Sequence, residues 1–355
     1  MSAPARTGLD SGTVAAVDRS SQLADVIGLP EQLRDALWRV ESAGIEPLDT
    51  PGGLIVAGMG GSAVGGLLAR AALGDRASRP IVIARGYELP PWATPDTLVL
   101  CSSYSGDTEE TIACYEAATA LGAPRVVVTT GGRLAEAARA DGVPVIPLPA
   151  GFQPRGAVAY LVVAALEVAA ACGAGPSVRA EVDVAAAHAE ALVEEWGPAS
   201  PEDSLAKSLA QGLAGSAPQV AGAGLTAPIA YRWKTQLNEN AKTPAFAHEL
   251  PELDHNEIVG WLGAADVGRF SAVFLGDGDQ HPRTRQRIAL TRSLVEREAV
   301  ATFVVESRGE TATERMVSLV LLGDLVSVYL AVLRGVDPTP VDVLDQLKSE
   351  LAEAP

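Results

Sequence analysis

Cysteine is scarce in this 355-residue chain, with only Cys101, Cys114 and Cys172 present. They lack the paired spacing of a metal site and leave one over in any disulfide scheme. They therefore read as buried small apolar residues of a protein kept in a reducing cytosol. Positive charge is short as well. With 27 Lys and Arg against 44 Asp and Glu, a net −17 at pH 7, the chain has no surplus of cations to release the counterions of a nucleic-acid backbone. That argues against DNA and RNA as partners. A small anion stays open, because a few local donors and a helix N-terminus suffice to hold one. The opening "MSAPARTGLDSG" lacks the apolar core of a secretory signal and reads as the start of a loose tail over residues 1–20. The expected location is the cytoplasm. One run is apolar enough to suggest a membrane span, Met316 to Leu333. Asp324 sits at its middle, where lipid penalises a charge, so the run reads as a core helix and no membrane partner is expected. Histidine is limited to four positions, and no His/Asp/Glu cluster has the spacing of metal ligands, so no metal is expected.

What is present is a large apolar fraction, 48%, enough to bury a sizeable core in two domains. Short apolar runs ending in Gly or Ser recur: "GLIVAGMGG", "PIVIARG", "TLVLCSSYSG", "RVVVTTGG" and "PVIPLPAG". Their continuous rather than alternating character predicts strands covered on both faces, hence a parallel sheet of βα units. The intervening "SAVGGLLARAAL" and "EETIACYEAATAL" have helical spacing. After an Ala-rich helical stretch ending near Cys172, "GAGPS" reads as a linker. The rhythm returns in "PQVAGAG", "SAVFLGDG" and "ATFVVES", so the second half reads as a degenerate copy of the first. The fold class is α/β, with two doubly wound parallel-sheet domains over residues 21–172 and 173–355. Ligands of such sheets bind beyond the C-terminal ends of the strands.

Two turns stand at such ends. In "GMGGSAVGG", Gly58, Gly60 and Ala63 satisfy the dinucleotide fingerprint G-x-G-x-x-A. That fingerprint expects an acidic residue at the end of the second strand, where this chain has Arg85 and Gly86, leaving room only for an NADP-type reading through Arg85. A structural turn is the bland alternative. The second turn, "SSYSGDTEET", places Ser103, Ser105 and Thr108 around one glycine at a helix start, next to Gly60, Gly61 and Ser62 of the first. Hydroxyls and amides converging on a helix N-terminus suit a compact phosphate dianion. A simpler reading has Ser105 or Asp107 capping the helix, with Glu110 completing a capping box.

With "GMGGS" followed by "SYSGDTEET", the chain resembles the sugar isomerase (SIS) domain, of flavodoxin-like fold. As a whole it resembles the bifunctional phosphoglucose/phosphomannose isomerases built from two such domains. The similarity runs from about Gly53 to Leu351 and is strongest in "FQPRGA", "NENAKTPAFAHELPELDHNEIVGW" and "DPTPVDVLDQLK". It implies an aldose–ketose isomerase that interconverts glucose 6-phosphate and mannose 6-phosphate with fructose 6-phosphate through a cis-enediol, with no cofactor. Glu239 would shuttle the proton, as an ionised carboxylate can at neutral pH. His255 would open the sugar ring, a task suited to a group that titrates near pH 7. Arg155 would offset the charge of the enediolate. Lys348 would contact the ring oxygen or hydroxyls. Of the other histidines, His188 and His281 lie in unmarked surroundings and His248 reads as packing or loop orientation. Where the family more usually has Asn, this chain has Asp107, whose carboxylate would repel a phosphate unless it points away.

The resemblance also implies a homodimer with shared active sites, His255 coming from the partner. The Pro-rich apolar segment around Phe246 and Trp261 fits a neighbour better than solvent. Two other classes compete: a non-catalytic sugar-phosphate sensor and an isomerase of another phosphosugar. Against a sensor stands the want of a basic helix-turn-helix extension, and the blocks around Glu239 and His255 speak against the other substrates.

Overall fold

The computed structural model describes residues 8–353. After three short helices, α1 (Ser11–Val17), α2 (Gln22–Ile27) and α3 (Leu29–Ser42), the chain enters the first sheet. Its elements run β1 (Leu54–Ala57), α4 (Gly60–Leu73), β2 (Ile81–Ala84), β3 (Leu98–Ser102), α5 (Glu109–Leu121), β4 (Arg125–Thr129), α6 (Gly132–Ala140) and β5 (Val145–Pro147). Helices α7 (Val158–Ala171), α8 (Arg179–Trp196) and α9 (Leu205–Leu213) lead to the second sheet. There follow β6 (Ala217–Gly222), α10 (Ala227–Glu239), β7 (Phe246–Glu249), the short α11 (Glu257–Gly260) and α12 (Ala264–Val267), β8 (Phe270–Gly276), α13 (Pro282–Val295) and β9 (Ala301–Glu306). The long α14 (Ala312–Arg334) and a last helix, α15 (Asp342–Glu353), close the chain.

Both sheets are parallel throughout, in the orders β2-β1-β3-β4-β5 and β7-β6-β8-β9. The central strands are apolar because helices cover both faces: every residue of β1 and β3 is buried. One face of the first sheet packs on α4 and α7, and the other, with Ile55, Val99 and Val127, on α5 and α6 through Ile112, Tyr115 and Leu134. Topology repeats between the halves, with β1, β2 and β3 matched by β6, β7 and β8. The two sheets share one apolar core that runs from Leu9 to Val332. Helix α8 sits beyond the expected domain boundary and packs on both α3 and α14.

The segment Met316 to Leu333 lies within α14, and 94% of that helix's apolar 18-residue window is buried inside the fold. Its start is fixed by a reciprocal cap between Thr311 and Glu314. The expected loose tail at 1–20 is corrected over the described part: Asp10 caps α1 through the amides of Gly12 and Thr13, and Leu9, Val14 and Val17 are buried. Each such side chain contributes about 1.5–3 kcal/mol by leaving water, which holds in place a helix too short to persist alone. The first seven residues of that expected tail lie outside the described residues.

Candidate active site

The two turns meet at the C-terminal ends of β1 and β3. A Cβ at Gly58 would lie 2.7 Å from the Ser102 carbonyl oxygen, so only glycine lets the strands' ends approach this closely. Helix α4 starts at Gly60 behind Met59, whose side chain cannot cap it, and α5 starts behind Thr108, whose hydroxyl makes no capping bond. Both N-termini therefore keep amides and a positive dipole end for a ligand. Ser62 is buried in the first turn of α4. Ser103 Oγ accepts from the Gly106 amide at 3.0 Å and bonds Thr108 Oγ1 at 2.8 Å, while Ser105 Oγ accepts from the Asp107 amide at 3.2 Å. The loop is thus shaped by its own hydroxyls, with Ser105 exposed.

Asp107 points away from this ring of hydroxyls. Its Oδ1 accepts from the Arg133 amide at 3.0 Å, so its charge rests on the N-terminus of α6, beside Gly132. It does not cap α5, and the capping-box reading fails there. Arg85, the anchor of a dinucleotide reading, lies over the Tyr231 ring at 5.0 Å.

Arg155 adjoins the first turn, since a Cβ at Gly61 would stand 2.9 Å from the Pro154 carbonyl oxygen and 3.4 Å from Arg155 Cα. The guanidinium, 4% exposed, is held on every side. Nε donates to Asn240 Oδ1 at 2.6 Å, Nη1 to Gln153 Oε1 at 3.3 Å, and Nη2 to the carbonyls of Pro338 and Thr339 at 3.0 and 2.9 Å. Nη1 also lies 3.5 Å from Glu239 Oε2, at the end of α10. Burial lowers the arginine's pKa and the Glu239 carboxylate opposes the shift; an arginine starts so high that the charge stays.

Positioning reaches deeper. The Arg155 carbonyl accepts from Arg232 Nη2 at 3.0 Å, and Arg232 forks onto Asp324, at 3.0 Å to Oδ1 and 2.5 Å to Oδ2. Burial raises the Asp324 pKa, with Arg232 pulling against it. Asn240 Nδ2 donates to Ser327 Oγ at 2.9 Å. The mid-helix charge of α14 is therefore one end of a buried chain that fixes the Arg155 turn. Tyr104 works from the other side: its hydroxyl donates to the Pro149 carbonyl at 3.0 Å and accepts from the Phe152 amide at 2.9 Å, tying the hydroxyl loop to the segment before Arg155.

The structure thus brings together Gly60, Gly61, Ser62, Ser103, Ser105 and Thr108 as one pair of turns, with Arg155 and Glu239 alongside. His255 and Lys348 are not bonded to them within the chain. His255 is exposed in a turn at Glu252–His255, Lys348 is exposed on α15, and neither has a hydrogen bond or ion pair to Arg155 or Glu239. Of the remaining histidines, His248 Nδ1 lies 3.3 Å from Glu257 Oε1, and His281 caps α13 through the Arg283 amide. Among the described residues no three His, Cys, Asp or Glu side chains gather as a metal site. Tyr104, Asn240, Arg232 and Lys242 escape sequence reasoning, and Asp324 is noticed there only as a charge within a core helix; Tyr104, Asn240 and Lys242 at least lie inside the motifs "SYSGDTEET" and "NENAK".

Tandem parallel sheets with hydroxyl-lined turns at the first define a protein of the sugar isomerase (SIS) class, and residues 202–351 match the family described as "Bacterial phospho-glucose isomerase C-terminal SIS domain". The chain is 39% identical over 333 residues to the "Bifunctional phosphoglucose/phosphomannose isomerase" of Caldicellulosiruptor bescii, covering 92% of this chain and 98% of that one. It is 34% identical over 300 residues to the protein of the same description from Aquifex aeolicus, covering 84% and 90%. It belongs to the bifunctional phosphoglucose/phosphomannose isomerase family. A hypothetical protein from Thermus thermophilus shares the fold, with TM-score 0.73 at 17% identity over 97% of this chain and 93% of that one.

Proposed function

We propose that this protein is an aldose–ketose isomerase that interconverts glucose 6-phosphate and mannose 6-phosphate with fructose 6-phosphate by proton transfer through a cis-enediol. The observation that carries the reading is the Glu239 carboxylate, 3.5 Å from the buried Arg155 guanidinium and beside two hydroxyl-lined helix N-termini. The 6-phosphate docks on the amides of Gly60 and Gly61 and the hydroxyls of Ser62, Ser103, Ser105 and Thr108. Glu239 removes the proton at C2 and returns it at C1, and reaches that proton in either epimer once the chain is open. Arg155, which keeps its own proton, offsets the charge that the enediolate develops, so the step calls on no cofactor or metal. His255 opens the ring and Lys348 contacts the ring oxygen.

Exposure of His255 and Lys348, neither of which bonds Glu239 in one chain, supports a homodimer in which the partner subunit completes each site. Phe246, Val259 and Leu262, exposed apolar residues around the His255 segment, supply a surface for it. The cytoplasm is the proposed location. The test is incubation of the purified protein with each hexose 6-phosphate in D2O with EDTA, followed by NMR. Interconversion with deuterium appearing at C1 of fructose 6-phosphate is expected. Binding without turnover favours a sensor, and turnover without any solvent deuterium favours a hydride shift.

A further inference from the structure

Directly behind Glu239 the chain makes a turn that the proposed steps leave unused. Lys242 has φ +50, a left-handed conformation that lysine rarely adopts. Backbone held there against its preference is fixed by its surroundings and clusters at functional sites. What fixes this one is Arg334, at the end of α14, whose Nη1 donates to the carbonyls of Ala241 and Lys242 and to the Thr243 hydroxyl. The bent backbone turns the half-buried Lys242 ammonium back across the end of α10. There Nζ donates to the carbonyls of Glu239 at 2.8 Å, Asp337 at 3.0 Å and Pro338 at 2.8 Å.

The stretch from Asp337 to Thr339 is a strap between α14 and α15. Two cations grip it by its carbonyls: Lys242 at Asp337 and Pro338, and Arg155 at Pro338 and Thr339. Pro338 is shared. Lys242 therefore joins the residue that carries the Glu239 carboxylate, the acceptors that orient the Arg155 guanidinium, and the root of the helix that carries Lys348. We propose that Lys242 is a positioning residue for the isomerisation, its ammonium latching the strap so that Arg155, Glu239 and α15 keep one mutual geometry. The proposal rests on the isomerase reading given above.

An ammonium has three N–H donors, matched here by three carbonyls; the neutral amine has two and would turn a lone pair toward the third. The latch holds only while Lys242 is charged. Facing it are Arg155 from the turn before α7, Glu239 from α10, and Asp337 and Asp342 from the C-terminal segment. Burial first, and then the Arg155 charge, bring the Lys242 pKa down to about 8, against the pull of the three acids. The amine thus carries its proton below that value and loses it above, so the latch weakens as pH rises through about 8.

The experiment measures kcat and KM for fructose 6-phosphate across the pH range for wild type, Lys242→Arg and Lys242→Met, with hydrogen exchange of the strap and α15 on the same proteins. Lys242→Met should lower kcat roughly 10–100-fold, the scale of a misplaced catalytic group, with little change in KM because the phosphate is held elsewhere. It should also lose the alkaline fall of the wild type and exchange faster at the strap. Lys242→Arg, which stays charged, should recover much of kcat and carry the alkaline fall to higher pH. A Lys242→Met protein with wild-type kcat, or with unchanged exchange at the strap, overturns the proposal. So does a Lys242→Arg protein whose alkaline fall stays where it was. If Lys242→Met does not fold, wild-type strap protection compared below and above the Lys242 pKa decides, since the latch predicts its selective loss. A wild type that turns over no hexose phosphate refutes the isomerase reading instead, and exchange at the strap still reports on the latch.

Discussion

The turns after β1 and β3 and those after β6 and β8 sit at the same places on two copies of one sheet topology, yet they are finished differently. In the first sheet the residue directly after β3 is Ser103, and the helix starts there lack side-chain caps. In the second, the residue after β8 is Asp277, whose Oδ1 accepts from Ser307 Oγ at 2.6 Å and Arg315 Nε at 2.8 Å. Thr226, at the start of α10, is likewise spent on the Ala223 amide at 2.9 Å and the Leu275 carbonyl at 3.0 Å. A cavity of about 900 Å3 opens there, and the guanidinium of Arg315 in its wall is already paired with Asp277 and Asp279. The duplicated backbone offers two equivalent places, and the side chains there distinguish them. The second copy instead supplies the ends of α10 and α14, from which Glu239, Asn240 and Asp324 serve the first.

The largest test of that asymmetry is at the base. Glu239→Gln should lower kcat by roughly 10²–10⁴-fold while hexose phosphate still binds, because a positioned base is worth about that much. Asp75→Asn, at the matching end of α4 and lining the other crevice, should leave turnover unchanged. Steady-state rates and calorimetric binding on the two variants check both, and near-normal turnover in Glu239→Gln removes the assignment. The next effect is at the phosphate loop. Ser103→Ala should weaken phosphosugar binding by about 1–3 kcal/mol, the range for a hydrogen bond to a charged group. Equal affinity in the variant and wild type places the phosphate elsewhere.

What the sequence made legible follows from what sets each feature. Strands β1, β3 and β4 are continuous apolar runs because helices cover both faces, and that pattern is local. Strand β7 is not legible: "FAHE" is a four-residue edge strand with no buried residue, so nothing periodic marks it. Helix α1 was hidden because its docking depends on α14 and on Glu202, far along the chain. Arg155 and Glu239 were named from the family resemblance that their motifs carry, whereas Tyr104, Arg232 and Asp324 act through partners 45 to 92 positions away. His255 and Lys348 were named in the same way, and neither bonds Glu239 within one chain. Subunit mixing addresses the histidine: combining Glu239→Ala with His255→Ala chains should return about a quarter of wild-type activity, since half the dimers are mixed and each has one intact site. Confirmed exchange with no recovered activity means that both residues act within one chain.

The smallest expected effect is at Asp107, and it separates a charge near a phosphate from a charge aimed at one. By sequence the carboxylate stands inside the hydroxyl loop, between Ser105 and Thr108, where its repulsion would weaken binding. By structure its oxygens flank Gly132 and accept the Arg133 amide, so the negative charge rests on the positive end of α6. Asp107→Asn keeps an acceptor for that amide and removes only the charge. It should therefore change phosphosugar affinity by less than about 0.5 kcal/mol, the level of a surface substitution. Asp107→Ala also removes the acceptor and should lower stability by roughly 1 kcal/mol, as losing a helix cap does, again with little change in affinity. Thermal unfolding and calorimetric titration of both variants check this. A clear gain in phosphosugar affinity for Asp107→Asn means that the carboxylate faces the ligand in solution, and that the first sheet's turns are less fully open to phosphate than their hydroxyls suggest.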